Sequence, residues 1–313
     1  MNIDIYEGDC IEQLKRLADQ SINTCITSPP YWGLRNYQED KQLGMEDTPE
    51  EFISNLVDVF REVKRVLRDD GTVWLNLGDT YCGTGHKGNY TDPKHKEGRN
   101  GQKIALNNKI DGLKSKDLVG IPWRVALALQ QDGWYLRQDI IWHKPNTMPE
   151  SVKDRCTKAH EYIFLLSKNK KYYYDNEAIK EDSKYYGKDK RSDKGNIRYE
   201  GKRTSNKDSK AQQSFVTINP KKNKRSVWTV STKPFKGAHF ATFPPELIEP
   251  CILAGCPEGG VVLDPFGGSG TTAVVANNHY RNAVLIELNR SYIAIMKKRL
   301  EEQGSILINI NDK

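Results

Sequence analysis

Apolar residues in this chain follow two recurring patterns: short runs of strand length and longer segments with a helical period. Strand-type runs cover residues 22–26, 72–77, 261–264 and 283–287, and a polar or acidic residue ends or closely follows each run. Segments with helical spacing lie between them. This alternation predicts an α/β fold with a mostly parallel, doubly wound sheet and helices on both faces.

The clearest predicted helix spans residues 49–67. Thr48 is its N-cap, Pro49 fits the first turn, and Glu51 completes a capping-box pattern. Gly71 is expected to end the helix before the strand at 72–77. Further helices are predicted at 11–17, 121–131, 244–254 and 292–303, and further strands at 3–6, 135–142, 162–167 and 306–308.

Five polar side chains fall at predicted strand ends: Asp9, Ser28, Asp79, Asp264 and Glu287. Ligands of doubly wound sheets bind beyond the carboxyl ends of the strands. We therefore expect these side chains to line one edge, although they come from distant parts of the chain. For Asp9 and Asp79, helix or turn capping is an equally ordinary role.

The tetrapeptide Ser28-Pro29-Pro30-Tyr31 directly follows a predicted strand. Its two prolines fix φ and remove two backbone donors, which leaves a rigid turn with outward carbonyls. Oxygen acceptors beside an aromatic face suit a planar base that carries an exocyclic amine. An ordinary strand-to-loop turn is the alternative for the tetrapeptide taken alone.

A glycine-rich turn follows the strand at 261–264 and opens an Ala/Val-rich helix. Glycine lets the backbone approach a ligand closely. The next strand ends at Glu287, whose carboxylate can accept both hydroxyls of a ribose. The turn is neither a dinucleotide fingerprint nor a triphosphate loop, so a ligand with ribose and no phosphate is favoured. The turn and its flanks contribute Asp264, Phe266, Gly268, Ser269, Gly270 and Thr271.

Together these segments resemble the S-adenosylmethionine-dependent amino methyltransferases that act on DNA bases. Ser28-Pro29-Pro30-Tyr31 matches their (D/N/S)PP(Y/F) motif, and Phe266 to Gly270 matches their FxGxG motif. The catalytic motif precedes the cofactor motif, as in the β arrangement of the family. The intervening stretches at 120–123, 133–137, 141–146 and 158–164 also resemble it. The resemblance covers most of the chain except roughly 81–116 and 180–226.

The resemblance implies a Rossmann-like methyltransferase fold and S-adenosylmethionine as cofactor. It places the cofactor against Asp264 and the turn residues Phe266, Gly268, Ser269, Gly270 and Thr271, with Glu287 on the ribose. It also implies that Asp9 contacts the adenine and that His239 and Phe240 lie near the methionine end.

The expected chemistry is direct methyl transfer to an exocyclic amine. The Ser28 hydroxyl oxygen and the Pro29 carbonyl would accept the amine protons in the turn that Pro30 stiffens. Tyr31 would stack on a base extruded from double-stranded DNA. Ser at the first motif position resembles cytosine-N4 enzymes, whereas Asp or Asn is usual in adenine-N6 enzymes. An adenine-N6 enzyme, an RNA-modifying enzyme and a catalytically silent nucleic-acid-binding homologue remain alternatives.

The positive charge is concentrated in one segment. The 313-residue chain has a net charge of +7. Residues 180–225 hold 15 Lys and Arg against 6 acidic residues, a net charge of +9, so the rest of the chain has a net charge of −2. Tyrosines flank and interleave these cations. A solvated loop is one interpretation, and a DNA-facing target-recognition region is the other. The predicted organisation is a catalytic part at 1–179 with a mobile loop at 81–116, a recognition region at 180–226, and a cofactor-binding part at 227–313.

The hydropathy and the cysteine content indicate the cellular compartment. No apolar run approaches the roughly 20 residues of a membrane span. The six cysteines form no Cys-x-x-Cys pair, so buried reduced thiols and no metal site are expected. These features predict a cytoplasmic protein, and the resemblance implies an enzyme of bacterial, archaeal or phage origin. Whether a cognate restriction endonuclease exists stays open, and so does the choice between monomer and homodimer.

Overall fold

The computed structural model describes residues 1–33, 42–83, 110, 112–183, 220–233, 243–304 and 307–311. Within them the helices are α1 (Cys10–Arg16), α2 (Pro49–Val66), α3 (Ile121–Gln131), α4 (Pro245–Gly255), α5 (Thr271–Asn278) and α6 (Arg290–Glu301). The strands are β1 (Asn2–Glu7), β2 (Ile22–Thr27), β3 (Leu67–Leu77), β4 (Tyr135–His143), β5 (His160–Ser167), β6 (Glu181–Asp182), β7 (Lys221–Lys222), β8 (Val227–Thr229), β9 (Val261–Asp264), β10 (Asn282–Glu287) and β11 (Leu307–Asn311).

In the described part of the chain, nine strands form one sheet in the order β11-β1-β10-β9-β2-β3-β5-β4-β8. Its pairs are parallel except for β3–β5 and β5–β4. The predicted mostly parallel sheet is therefore confirmed. The catalytic-motif strand β2 pairs directly with the glycine-turn strand β9, with Cys25 opposite Leu263.

The antiparallel strand β5 determines what meets at the ligand-binding edge. Because β5 runs against β3 and β4, its first residues lie beside their last ones. His160 pairs with His143, and Tyr162 pairs with Leu77. The amino end of β5 therefore joins the carboxyl ends of the parallel strands, and the residues that begin β5 reach the same edge as Ser28.

Helices cover the sheet in two sets, with α2 contacting α1 and α3, and α5 contacting α4 and α6. Phe52, Leu56, Val59 and Val63 of α2 are fully buried in the core. Thr48 caps α2 as predicted, since its Oγ1 accepts the Glu51 amide at 3.2 Å. No helix of the described residues is long and apolar enough to cross a membrane.

The predicted junction between α2 and β3 is wrong. The helix ends at Val66, and β3 begins at Leu67 rather than at residue 72, so Gly71 lies inside the strand. Leu67 takes an extended conformation and pairs with Ile22 of β2. The exposed polar run 68–70 interrupts the apolar pattern, so a search for apolar residues finds the strand only from residue 72 onward.

The chain divides into two compact units, residues 1–175 with 226–313, and residues 176–225. In the second unit the short antiparallel strand pair β6–β7 is described, and Glu181 forms ion pairs there with Lys222 at 3.4 Å and Arg225 at 2.6 Å. Residues 184–219 lie outside the described residues, so the recognition role of 180–226 and the three-part division stay predictions.

The predicted loop at 81–116 is described at its two ends, since residues 84–109 and 111 lie outside the described residues. Its described ends are paired: the Cys82 amide donates to the Asp117 carbonyl at 2.8 Å, and the Lys116 amide donates back to Cys82 at 3.1 Å. Of the six cysteines, five are buried and Cys156 is exposed. The expectation of buried thiols therefore holds for all but Cys156.

Candidate functional site

A cleft opens where the carboxyl ends of β1, β2, β9 and β10 meet. It encloses about 890 Å³, counting the part open to solvent, within the usual range for small-molecule sites. Its lining includes these predicted site residues: Asp9, Ser28, Pro30, Asp264, Phe266, Gly268, Ser269, Thr271 and Glu287. The prediction that the two motifs share one edge is confirmed. Pro29, Tyr31 and Gly270 are not in that lining, and His239 and Phe240 lie outside the described residues.

Glu287 is held by backbone amides at the end of β10. The Gly268 amide donates to its Oε2 and the Asn289 amide to its Oε1, each at 2.8 Å. Burial raises the pKa of Glu287 to about 7, although these two hydrogen bonds oppose the shift. Each carboxylate oxygen has a second lone pair, so the group can accept two further hydroxyl donors. This is the acceptor set that a ribose requires.

The glycine turn is shaped by packing as well as by access for a ligand. Gly268 and Gly270 adopt positive φ values of 52° and 76°. A Cβ on Gly270 would lie 2.5 Å from Cγ of Met296 on α6. Gly270 is therefore needed for contact between the turn and a helix, a constraint that the motif alone does not reveal.

Arg299 of α6 is a structural partner of the turn that sequence reasoning missed. Its Nη1 donates to the Ser269 carbonyl at 3.2 Å, to Ser269 Oγ at 3.1 Å and to Thr271 Oγ1 at 2.9 Å. Burial lowers the pKa of Arg299. Both hydroxyls are thus engaged within the protein, and the arginine carries no motif signal that could have identified it.

Asp264 connects the two motifs. Its Oδ1 accepts from Thr27 Oγ1 at 2.7 Å and from the Phe266 amide at 3.1 Å, while its Oδ2 accepts from Thr272 Oγ1 at 2.6 Å. The side chain is buried, and burial raises its pKa. Thr27 immediately precedes Ser28, so this carboxylate ties the catalytic turn to the cofactor turn and to α5.

The capping interpretation of Asp9 and Asp79 is confirmed. Asp9 Oδ1 accepts the amides of Ile11 and Glu12 at the start of α1. Asp79 Oδ1 accepts the amides of Gly120 and Ile121 at 2.9 and 3.0 Å, at the start of α3. Carboxylates are favourable at helix N-termini. Asp9 also lines the cleft, so capping does not exclude a contact with a ligand.

Tyr31 joins the catalytic motif to a polar cluster from β3, β4 and β5. Its hydroxyl donates to Glu161 Oε2 at 2.7 Å and lies 3.4 Å from Ser28 Oγ. Lys144 pairs with the other oxygen of Glu161, and Asn76 Nδ2 donates to Oε2 at 3.3 Å. Sequence reasoning noted the stretches around Lys144 and Glu161 but gave these residues no role.

Cations surround this cluster. Lys158 donates to the Asp79 carbonyl at 3.0 Å, and burial lowers its pKa. Burial and the neighbouring Lys158 lower the pKa of His160 as well. The guanidinium of Arg155 lies 4.1 Å from the centre of the Tyr81 ring. The lysine and the arginine thus place basic groups at the edge beside Ser28, whereas the lowered pKa of His160 favours its neutral form; basic groups suit the approach of a polyanion.

The ring of Tyr31 requires a glycine at position 78. A Cβ there would lie 2.5 Å from Tyr31 Cε2 and 3.0 Å from Cδ2. We expect Gly78→Ala to displace the ring and to lower turnover roughly tenfold, a loss of about 1.4 kcal/mol in transition-state stabilisation, with unchanged cofactor affinity. Kinetics and calorimetry would measure both. Ser54→Ala, on the exposed face of α2, is the control. Unchanged turnover in Gly78→Ala would contradict this placement of the ring.

Comparison with known proteins agrees with this geometry. The family model described as DNA methylase, for N6 and N4 methyltransferases, matches residues 22–298. The Type II methyltransferase M.Cfr9I of Citrobacter freundii is 47% identical over 306 residues, covering 98% of this chain and 90% of that protein. M.SmaI of Serratia marcescens is 47% identical over 297 residues, covering 95% and 90%.

Solved structures share the fold. The PvuII DNA methyltransferase (cytosine-N4-specific) superposes with a TM-score of 0.63 at 18% identity, covering 99% of this chain and 95% of that one. A DNA modification methylase of Thermus thermophilus, complexed with S-adenosyl-L-methionine, gives 0.59 at 22% identity, covering 99% and 100%. The chain therefore belongs to the DNA methylase family, the S-adenosylmethionine-dependent methyltransferases that act on exocyclic amines of DNA bases.

Proposed function

We propose that this enzyme methylates the exocyclic N4 amine of cytosine in DNA. The observation that carries the proposal is the position of Ser28, which directly follows β2 and lines the same cleft as the β9 glycine turn. Ser at the first position of the catalytic motif resembles cytosine-N4 enzymes. The cytosine-N4-specific PvuII methyltransferase, which shares the fold, supports this choice of base.

The residues at the β9–β10 side of the cleft fit the cofactor. Glu287 would accept the ribose hydroxyls, and Asp9 would face the adenine from the start of α1. The backbone of the turn at Phe266 and Gly268, with Gly268 at positive φ, would pass close to the ligand. Ser269, Gly270 and Thr271 would support this turn through their contacts with α6. When bound, S-adenosylmethionine supplies a methyl group on a sulfonium leaving group.

The catalytic turn would prepare the amine. The lone pair of an exocyclic amine is delocalised into the base, which makes the amine a poor nucleophile. Acceptance of its two protons by Ser28 Oγ and the Pro29 carbonyl favours a more pyramidal nitrogen with an available lone pair. The rigid Pro29-Pro30 turn holds both acceptors in place, so the gain comes from positioning. Tyr31 would contact the base after its extrusion from the duplex.

The proposal is tested by analysing DNA from a host that expresses the enzyme. Digestion to nucleosides and mass spectrometry should detect N4-methylcytosine, which Ser28→Ala should strongly reduce. Ser54→Ala, on the exposed face of α2, is the control that should retain it. Detection of N6-methyladenine instead would reassign the base. Methylated RNA, or cofactor binding without methylation of any DNA, would reject DNA cytosine as the substrate.

We propose that residues 180–226 read the target sequence. Ser183 donates its amide to the Pro220 carbonyl at 2.7 Å next to the β6–β7 pair, so a two-residue Asn-Gly turn can replace residues 184–219. That replacement removes ten Lys and Arg and four acidic residues. We expect site-specific methylation to be lost and the dependence of log affinity on log salt to flatten by roughly 0.9 for each phosphate contact removed.

Cofactor affinity measured on the same variant is the control for folding and should stay unchanged. Retention of the same methylated sequence with an unchanged salt slope would move recognition elsewhere, most directly to the loop at 81–116. A cognate restriction endonuclease would cut the sequence that this enzyme methylates. A nuclease that cuts unmethylated host DNA but not methylated host DNA would be that partner. Sedimentation at several concentrations would decide between monomer and homodimer.

A further inference from the structure

A continuous chain of hydrogen bonds links a partly buried ion pair to the catalytic serine. Lys144 pairs with Glu161, Glu161 accepts from the Tyr31 hydroxyl at 2.7 Å, and the Ser28 hydroxyl lies 3.4 Å from Tyr31 Oη. The side chains of Lys144 and Glu161 are each 16% exposed. Ser28, at the end of this chain, lines the cleft.

Each group in the chain has a limited number of hydrogens, which sets a direction. An ionised carboxylate only accepts hydrogen bonds, and a phenol has one hydrogen to donate. Glu161 is closer to Tyr31 Oη than the Asn76 carbonyl oxygen, which lies at 3.3 Å, and it carries charge, so the phenolic hydrogen points to Glu161. Tyr31 Oη is then left to accept, and the Ser28 hydroxyl is the group that donates to it.

We propose that Lys144, Glu161 and the Tyr31 hydroxyl are positioning residues that orient the Ser28 hydroxyl away from the cleft. The lone pairs of Ser28 Oγ then face the target base, and serine acts there as an acceptor. A free serine hydroxyl can donate or accept, whereas the Asp or Asn usual at this motif position offers an oxygen acceptor without such help. This inference rests on the proposed contact between Ser28 and the target amine.

Neighbouring side chains favour this direction of the hydrogen bonds. Lys144 Nζ pairs with Oε1 of Glu161, the oxygen that does not contact Tyr31. Asn76 Nδ2 donates both to Glu161 Oε2 at 3.3 Å and to the Tyr162 carbonyl at 3.1 Å, so the amide is anchored to β5 while it contacts the carboxylate. The Ser28–Tyr31 separation is long for an O–H···O bond, whose usual length is about 2.7–2.8 Å. It biases the hydroxyl without locking it.

A fixed acceptor distinguishes bases by the group they present. An amine donates to the Ser28 lone pairs, whereas a keto oxygen at the same position meets them as a second acceptor and is disfavoured. Loss of the Tyr31 hydroxyl frees the serine hydroxyl to turn toward the cleft and donate to a keto oxygen. The discrimination between amino and keto bases should then weaken, although the aromatic ring remains in place.

A double-mutant cycle tests the connection. We expect Tyr31→Phe and Glu161→Gln each to lower kcat about tenfold, and the double variant to be no slower than the slower single variant, because residues in one hydrogen-bond network do not act additively. Cofactor affinity should stay within about twofold in all three, as expected of a network that does not reach the cofactor turn. Glu62→Gln, which alters another partly buried glutamate paired with Arg65, is the control with unchanged kcat. Additive losses would overturn the proposal.

A second readout isolates the orientation of the hydroxyl. The affinity of each enzyme is measured for duplexes with cytosine and with uracil at the mapped methylation site, and the uracil-to-cytosine ratio of the two affinities is taken. Because the mismatch eases base extrusion equally for every enzyme, its effect cancels when these ratios are compared between enzymes. The ratio should rise several-fold in Tyr31→Phe and Glu161→Gln and stay unchanged in Tyr135→Phe, which alters a tyrosine at the start of β4 that is 45% exposed. An unchanged ratio in the first two variants would overturn the proposal.

The test remains valid if the proposed base is wrong. Mapping of the methylated base in wild-type reactions decides that question first. If the mapped base is adenine, the cytosine proposal fails, and hypoxanthine replaces uracil as the keto analogue for the same comparison. The direction of the hydrogen bonds is therefore judged by the variants, independently of the identity of the base.

Discussion

Replacement of Ser28 by alanine should lower turnover roughly a hundredfold or more, the usual cost of losing a group that handles a proton or developing charge at the reacting centre. Cofactor affinity should remain within a few fold, because the Ser28 hydroxyl points to Tyr31 whereas Glu287 and the glycine turn form the other side of the cleft. Single-turnover kinetics and calorimetry separate the two quantities.

The matched control is Ser54→Ala on the exposed face of α2, which should be indistinguishable from wild type. Ser28→Thr keeps the hydroxyl and should recover part of the activity, limited by the added methyl group. A variant with normal single-turnover chemistry and greatly weakened cofactor binding would reverse the assignment of Ser28 from the target amine to the cofactor.

Replacement of Glu287 by alanine should weaken cofactor binding roughly 10- to 100-fold, because a hydrogen bond to a charged group contributes about 1.5–3 kcal/mol. The pKa of this carboxyl is about 7 in the unliganded protein. Hydroxyl donors favour the ionised form. Affinity should therefore be constant above pH 7 and fall, by at most tenfold for each pH unit, below it.

Glu287→Gln imitates the protonated carboxyl and should bind weakly with no such pH dependence. Calorimetry across the range from about pH 6 to pH 8 compares the variants, and Glu258→Ala, at an exposed position, is the control. Unchanged affinity in Glu287→Ala would remove this residue from the cofactor site.

The same pKa makes a prediction about stability. Because the folded-state pKa lies above the ordinary value of 4.5, the folded protein holds a proton that the unfolded chain releases. The contribution of Glu287 to the free energy of unfolding is therefore present below pH 4.5 and is lost as the pH rises to about 7. Denaturant titrations should show this loss in the wild type relative to Glu287→Gln. A parallel pH dependence in both proteins would contradict the assigned pKa.

The sequence by itself determined the local features of the fold. The α3 helix at 121–131 has its predicted bounds and Thr48 caps α2. As expected, Asp264 and Glu287 end strands, and Asp9 and Ser28 lie just beyond strand ends. These features depend on hydrogen bonds and side-chain spacing within a few residues of one another. A short window of sequence therefore contains the information needed to predict them.

The start of β3 was missed for the opposite reason. Its first residue, Leu67, pairs with Ile22 of a strand more than 40 residues earlier in the chain, and the polar, exposed residues 68–70 follow it. Short windows do not contain such a partner. The same limit applies to Gly270, whose need for glycine comes from Met296 on α6 as well as from the turn itself.

Tertiary structure alone decided how the site is supported. Asp264 braces the catalytic turn through Thr27, Arg299 holds the cofactor turn, and Glu161 meets Tyr31 across 130 positions of sequence. Glu161 reaches the site because β5 is antiparallel to its neighbours, which turns its first residues toward the carboxyl ends of the parallel strands. Strand direction and register are set by packing over the whole sheet, so motifs identify the reacting groups and the fold selects the residues that orient them.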